Sequence, residues 1–203
     1  MHDGPGTRSV VFFKGCPLRC AWCCNPESWS RGPQLAHKEH LCLACGRCVL
    51  ACPQQLMAAP GEWDAERCDA CGLCAEACPT GALVLLGRRE PIDELLAQLR
   101  PEYGLYAATG GGVTLSGGEA SLQAVAATEL ARRLRSEGVH VALETCGLYA
   151  RETDDPVDAL FAALDLVLFD IKLFDDGEHR RWCGAGNRRI KANLERLHAD
   201  ALA

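Results

Sequence analysis

Cys16, Cys20 and Cys23, in "GCPLRCAWCCNPES", place three thiols three and then two residues apart, one ligand fewer than a closed zinc or iron-sulfur site takes. On a cubane of four irons such a set leaves one iron without a protein ligand. That corner is open to a small molecule, as the open position of a catalytic zinc is to substrate. Cys24 follows directly and competes as the missing fourth ligand. Adjacent cysteines project in different directions and rarely reach two corners of one cube, which favours the three-thiolate reading.

Two further cysteine groups repeat each other: "CLACGRCVLACP" from Cys42 to Pro53 and "CDACGLCAEACP" from Cys68 to Pro79. Each follows Cys-x2-Cys-x2-Cys-x3-Cys-Pro, the spacing that wraps thiolates around 4Fe-4S cubanes, with the fourth cysteine of each copy serving the other cluster. One cluster then takes Cys42, Cys45, Cys48 and Cys78, and its neighbour takes Cys68, Cys71, Cys74 and Cys52. A pair of zinc knuckles is the alternative, but it would couple Cys-x2-Cys halves over a longer gap. These three groups hold eleven of the 14 cysteines, and their spacings are too close for a disulfide framework. Cys24, Cys146 and Cys183 remain, and each reads better as a small packing residue than as a ligand.

The elements that must position these groups alternate. "RSVVFFK" reads as a strand that delivers the chain to Cys16. Residues 37–85 are rich in cysteine, proline and turns, with too little apolar periodicity for a large core, and read as an inserted module. "PIDELLAQLR" then reads as a helix, "GGGVTLSGGE" as a strand between glycine turns, and "SLQAVAATELARRLRSEG" as a helix ending at Gly138. "HVALET" is the next strand, "DPVDALFAAL" a helix, "DLVLFDIK" a strand, and "NRRIKANLERLHADA" a last helix. This order predicts an α/β fold of parallel units, with chemistry collected at the strands' C-terminal ends. Ser116 to Glu119, Glu144 to Gly147 and Asp170 to Lys172 all fall there and should share a cavity with the first cysteine group.

The 203 residues suffice for one domain with an insertion, and a net charge of -6 gives no reason to expect nucleic acid. No apolar run approaches the length of a membrane span, and "MHDGPGTRSVV" lacks the pattern of a secretory signal, so the sequence reads as cytoplasmic with no membrane partner.

The Cys-x3-Cys-x2-Cys group with Trp22 before its last cysteine resembles the radical S-adenosylmethionine signature, and "SGGE", "ETCG" and "DIK" follow at successive strand ends. Together with "HDGPGTR", the double ferredoxin-type insert and "H-x-x-W-C-G", the whole chain resembles the glycyl-radical enzyme activating family, relatives of the pyruvate formate-lyase activating enzyme. The resemblance implies a partial (β/α)6-type radical SAM barrel. Residues 1–36 would start it, 37–85 would be a ferredoxin-like insert with two 4Fe-4S clusters, and 86–203 would continue it. Three 4Fe-4S clusters, S-adenosylmethionine and a monovalent cation are the implied cofactors. A glycyl-radical enzyme is the implied protein substrate, and reduced flavodoxin or ferredoxin the implied electron donor.

The same resemblance assigns roles. Cys16, Cys20 and Cys23 hold the catalytic cluster; Gly117, Gly118 and Glu119 bind the methionine amino end of the cofactor; Lys172 contacts its carboxylate. Asp3 lies near the target glycine, with Arg8 helping to place its loop, and Glu144 and Asp170 contribute to a cation site. Taken alone, Gly117 and Gly118 are turn residues, and Asp170 and Lys172, two apart on one face of a strand, are a surface ion pair. His179 and Trp182 read as structural. Ala120 stands where the family usually has proline, loosening the turn but removing no ligand. Two more strand-helix units would normally follow the fourth, so the sequence reads as truncated to about four units, with an exposed strand edge after "DLVLFDIK". Two rival readings are an electron carrier whose first group is simply a third cluster, and a radical SAM enzyme acting on another protein or a small molecule.

Overall fold

The computed structural model describes residues 3–150 and 156–202 and divides into two compact units, Met1–Arg31 with Glu90–Ala203, and Gly32–Arg89. The first unit opens with β1 (Arg8–Phe13), a β-branched and aromatic run suited to a pleated surface. In the second unit follow β2 (Gln34–His37), α1 (Arg47–Ala51), β3 (Met57–Ala59), β4 (Glu62–Trp63), α2 (Leu73–Glu76) and β5 (Leu83–Leu86). The chain then returns to the first unit with α3 (Ile92–Leu99), α4 (Tyr103–Thr109), β6 (Gly112–Gly117), α5 (Ala124–Ser136), β7 (His140–Thr145), α6 (Pro156–Phe161), β8 (Leu166–Phe169), α7 (Asp176–Cys183) and α8 (Arg188–Leu202). The expected helix from Asp155 has its first residue outside the described residues.

In the first unit the strand order is β1-β6-β7-β8, and every pair is parallel. Val113, Leu115, Val141 and Leu143 alternate along β6 and β7 onto one face. There they pack under Leu96 and Leu99 of α3, Leu130 and Leu134 of α5, and Val157 and Leu160 of α6. Helices cover that face because βα connections leave their helices beside the sheet, where an apolar stripe can be buried. The opposite face receives Thr114, Ser116, Ala142 and Glu144, and it is this polar face that carries the site. Among the described residues β8 pairs only with β7, so β1 and β8 are the sheet edges.

The second unit contains the antiparallel pairs β2-β5 and β3-β4 around a small core of Leu35, Met57, Trp63 and Leu83 packed with four of its cysteines. Its sequence repeat is also a backbone repeat. Ala44 and Ala70 take left-handed φ values of 51° and 55°, Gly46 and Gly72 take 73° and 87°, and a short helix begins after each glycine. Among the described residues no helix is long and apolar enough to cross a membrane.

In the first unit two short helices, α4 and α7, go beyond the expected elements. α7 is announced by Asp175, whose Oδ1 accepts from the Glu178 backbone N–H at 2.9 Å, an N-cap visible in "DDGE". The helix expected from Ser121 starts later, at Ala124, because Glu119 caps a preceding 3-10 turn over Ala120–Gln123. Strand β8 ends at Phe169, so Asp170 and Lys172 lie in the loop after it rather than on one face of a strand.

Candidate radical site and cysteine cavities

The first cysteine group is a loop held from three sides. Just past β1, Gly15 N–H donates to Ser28 O at 2.7 Å, and Cys16 N–H donates to Trp29 O at 3.3 Å. On a second side, Arg19 N–H donates to Cys183 O at 2.8 Å and Ala21 N–H to Trp182 O at 2.9 Å, so the end of α7 forms a backing rail for the loop. The Arg19 guanidinium folds back over the loop, donating to Cys16 O and Leu18 O, both at 2.7 Å. On the third side is the glycine turn that ends β6. Gly118 N–H donates to Phe13 O at 2.8 Å and Glu119 N–H to Gly15 O at 2.7 Å.

That turn requires glycine. Gly117 has φ +100°, and a Cβ there would lie 2.6 Å from Phe13 N and O. A Cβ on Gly118 would come within 2.2 Å of Gly15 O and 2.9 Å of Ser28 O, backbone atoms that hold the cysteine loop. The absence of side chains here lets the two loops touch and leaves peptide edges facing the space beyond.

The space is a cavity of about 870 Å³, within the size range of small-molecule sites. Cys16, Cys20 and Cys23 line it, as do Asp3, Gly117, Gly118, Glu144, Asp170 and Lys172. The polar strand ends therefore meet the three thiols in one place. Glu144 accepts from Ser116 Oγ, and burial, with the Asp3 and Asp170 carboxyls nearby, pushes its pKa up. Burial works against the Lys172 ammonium, but its ion pair with Asp170 outweighs this and raises its pKa. The pair expected on the surface is thus present, but in the cavity wall. Trp22 stands at the rim, 48% exposed.

Two residues singled out from the sequence, Glu119 and Arg8, are not in the cavity wall. Glu119 is 0% exposed beneath the cavity floor, where Oε1 accepts from Ser121 N–H, Ser121 Oγ and Thr145 Oγ1, and Oε2 from Cys146 N–H at 2.8 Å. With four donors aimed at it, the carboxylate joins the ends of β6 and β7 and is not part of the cavity wall. Arg8 also stops short of the cavity. It lies at the far end of the sheet, donating to Thr114 Oγ1 at 2.7 Å, Val113 O at 2.8 Å and Pro5 O at 3.2 Å. Through Pro5, and through Thr114 Oγ1 donating to Asp3 O at 2.7 Å, the segment carrying Asp3 is tied to β6.

The cysteines outside the three groups differ from one another. Cys24 is exposed at the cavity rim, a correction to the packing role expected for it, because the turn at Trp22 carries its side chain outward. Cys146 and Cys183 are buried with Leu18 and Cys20 in an apolar cluster. The Cys146 thiol is within hydrogen-bonding reach of Cys16 and holds that sulfur's pKa down at about 7. Cys20, next to Cys183, is pushed up to about 12, chiefly by burial. The sequence offers no local signal for either meeting.

In the second unit, one cavity is lined by Cys42, Cys45, Cys48 and Cys78, and another by Cys52, Cys68, Cys71 and Cys74. Backbone N–H groups of Ala44 and Leu83 point at Cys42 and Cys78 Sγ at 3.4 and 3.5 Å, and that of Leu56 points at Cys52 Sγ at 3.4 Å. Such N–H to sulfur contacts are among those that stabilise cluster thiolates. Among the described residues no three His, Cys, Asp or Glu side chains converge as they would around a single ion. All-thiol walls around a space fit a soft iron-sulfur cluster.

The chain matches the family model described as "4Fe-4S single cluster domain" over residues 2–191. It is 41% identical to the isethionate sulfite-lyase activating enzyme of Nitratidesulfovibrio vulgaris, across 98% of this chain and 67% of that protein. It is 42% identical to the choline trimethylamine-lyase activating enzyme of Oleidesulfovibrio alaskensis, across 96% of this chain and 64% of that one. The chain belongs to the glycyl-radical enzyme activating family. A third family member, the (2S)-3-sulfopropanediol sulfolyase activating enzyme of Bilophila wadsworthia, is 40% identical over 96% of this chain and 65% of its own length. The chain thus spans 64% to 67% of the length of these activating-enzyme relatives.

Proposed function

We propose that the first unit is the S-adenosylmethionine-cleaving part of an activase that installs a radical on a glycine of a partner glycyl-radical enzyme. The observation that carries this reading is the meeting of three thiols, a bare glycine turn and Lys172 in one cavity. When bound, a 4Fe-4S cluster with one open iron supplies the electron that cleaves S-adenosylmethionine to methionine and a 5'-deoxyadenosyl radical, and the radical takes a hydrogen atom from the partner's glycine.

The chain's own residues position and shield this chemistry. Cys16, Cys20 and Cys23 hold three corners of the cluster. Gly117 and Gly118 present peptide edges to the methionine amino group, and Lys172, in its ion pair with Asp170, faces the carboxylate. Glu119 supports that turn from below. Asp3, held over the polar face through its own backbone, sits where the target glycine enters. Glu144 and Asp170 flank the place for a monovalent cation.

The second unit carries two further clusters, one on Cys42, Cys45, Cys48 and Cys78 and one on Cys68, Cys71, Cys74 and Cys52, and so serves as a ferredoxin-like insert between the parts of a partial radical SAM barrel. Read from sequence, the cluster-bearing insert is 37–85, between 1–36 and 86–203, and it falls within the compact unit Gly32–Arg89. Reduced flavodoxin or ferredoxin is the electron donor and the cytoplasm the location, in keeping with cysteine spacings that suit metal ligation rather than a disulfide framework.

The test is anaerobic reconstitution with iron and sulfide, reduction, and addition of S-adenosylmethionine. The expected result is a changed electron paramagnetic resonance signal together with 5'-deoxyadenosine, both lost in Cys20→Ala. A cluster-loaded protein whose signal ignores S-adenosylmethionine would overturn the reading.

A further inference from the structure

The two cysteine cavities of the second unit are lined by repeated thiols but not by matching neighbours, and β2 reaches both of them. Leu35 and His37 are two apart and so share one face of that strand. Leu35 lines the cavity of Cys52, Cys68, Cys71 and Cys74, whereas His37 lines that of Cys42, Cys45, Cys48 and Cys78. Leu35 has no polar hydrogen to offer. The His37 imidazole has a buried Nε2 with no hydrogen-bond partner among the described residues. A buried polar nitrogen left unpaired is costly, which points to a partner in the space that the ring lines.

The fold holds the ring there. His37 pairs across the ladder with Leu83 of β5, the residue whose N–H points at Cys78 Sγ at 3.5 Å. Gly61, at φ +84° and in the wall of the same cavity, seats the imidazole: a Cβ there would lie 2.2 Å from Cε1 and 2.3 Å from Nδ1 of His37. Charge divides the two cavities in the same sense. In the second repeat Asp69 stands where the first has Leu43, and Leu73 where the first has Arg47. Arg47 lines the cavity that His37 lines; Asp69, whose Oδ1 accepts from Cys71 N–H at 3.1 Å, lines the other.

A cubane held by four thiolates presents sulfurs, which only accept, so a buried Nε2 facing it carries its hydrogen and donates. Reduction adds negative charge to the cluster. A donor and a cation beside it favour that charge and raise the potential, whereas a carboxylate opposes it. We infer that His37 Nε2–H donates to a sulfur of the cluster on Cys42, Cys45, Cys48 and Cys78 and sets it at the more positive of the insert's two potentials, so that an electron entering the insert settles there. The inference rests on the proposed assignment of two clusters to these cysteines.

The test is a redox titration of the reconstituted full chain, followed by electron paramagnetic resonance. Cys45→Ala and Cys71→Ala identify the signals of the two insert clusters by removing one each. In wild type the signal lost in Cys45→Ala should have the more positive midpoint. His37→Phe keeps a ring against Gly61 but removes the donor; it should leave iron content unchanged and shift that midpoint alone to more negative values. His37→Gln, which keeps an N–H at the ε position, should return it toward wild type. A reversed order in wild type, an unmoved midpoint in His37→Phe, or a shift that His37→Gln does not reverse overturns the inference.

If His37→Phe does not load iron, the chain with native His37 is labelled with 15N in histidine, in a His40→Gln background that removes the exposed neighbour. Pulsed resonance on the same signal should show a weak 15N coupling. No coupling overturns the inference, and so does the strong coupling of a nitrogen bonded to iron, which would make His37 a ligand. Absence of separate signals removed by Cys45→Ala and Cys71→Ala would instead overturn the proposed cluster assignment.

Discussion

Replacing Glu119 by Gln removes one carboxylate oxygen from a site that contains only donors. Oε1 takes three of the four hydrogen bonds, so the amide oxygen of Gln would settle there and its NH2 would face the Cys146 N–H. The charge-assisted bond at Oε2 is lost, worth about 1.5–3 kcal/mol, and a buried N–H is left without an acceptor, costing about 1–3 kcal/mol more. The sum is about 2.5–6 kcal/mol, because no acceptor replaces the lost oxygen opposite Cys146 N–H in this fully buried position. For a chain of this size that corresponds to a melting temperature lower by roughly 10 °C. Thermal unfolding of wild type and Glu119→Gln, followed by far-ultraviolet circular dichroism without added S-adenosylmethionine, reads the effect directly. A variant within about 0.5 kcal/mol of wild type, the range of ordinary surface substitutions, would refute a buried structural role. If such a variant had lost only its response to S-adenosylmethionine, Glu119 would be a cofactor ligand, as "SGGE" suggests when read alone.

Gly118→Ala pushes a methyl group into Gly15 O and Ser28 O, so it should cost about 1–3 kcal/mol by overpacking and lower the iron bound per chain. Unchanged stability and iron content would contradict the close approach. Asp176 accepts from Asn187 N–H at 2.8 Å and Arg180 Nε at 3.1 Å, and the first of these contacts chiefly holds its pKa below the usual carboxylate range. A folded-state pKa below the unfolded value of about 3.9 means the stabilisation is present above that pH and lost as pH falls through the folded value. Wild type should therefore melt above Asp176→Asn at pH 7, with the gap closing below about pH 4. A gap of constant size across that range would sink the argument.

Much of the first unit was legible because its signals are local. "RSVVFF", "GVTLSG" and "HVALET" are β-branched runs bounded by turns, and α5 shows its apolar stripe in "AVAATELARRLRS". The helices α4 and α7 were not read because they are short and their stripes are weak, although the Asp175 cap was there to be seen. Asp170 and Lys172 were assigned to a strand because "DLVLFDIK" has no breaker to mark its end. Glu119 lies below the cavity wall for a different reason. Its neighbours Gly117 and Gly118 do line the cavity, but the turn that exposes their peptides directs the next side chain downward, toward donors from β7.

The sequence alone determined the spacing of the thiols, the repeat that relates the two insert groups, and the order of strands and helices, because each of these depends on residues within a few positions of one another. Only the tertiary structure decided what stands behind those thiols. Cys146 and Cys183 join Cys16, Cys20 and Cys23 in one cluster through parallel strand pairing and the docking of α7 on the cysteine loop. Contacts between residues so far apart in the chain are set by how the elements pack, and no local pattern of residue types encodes that.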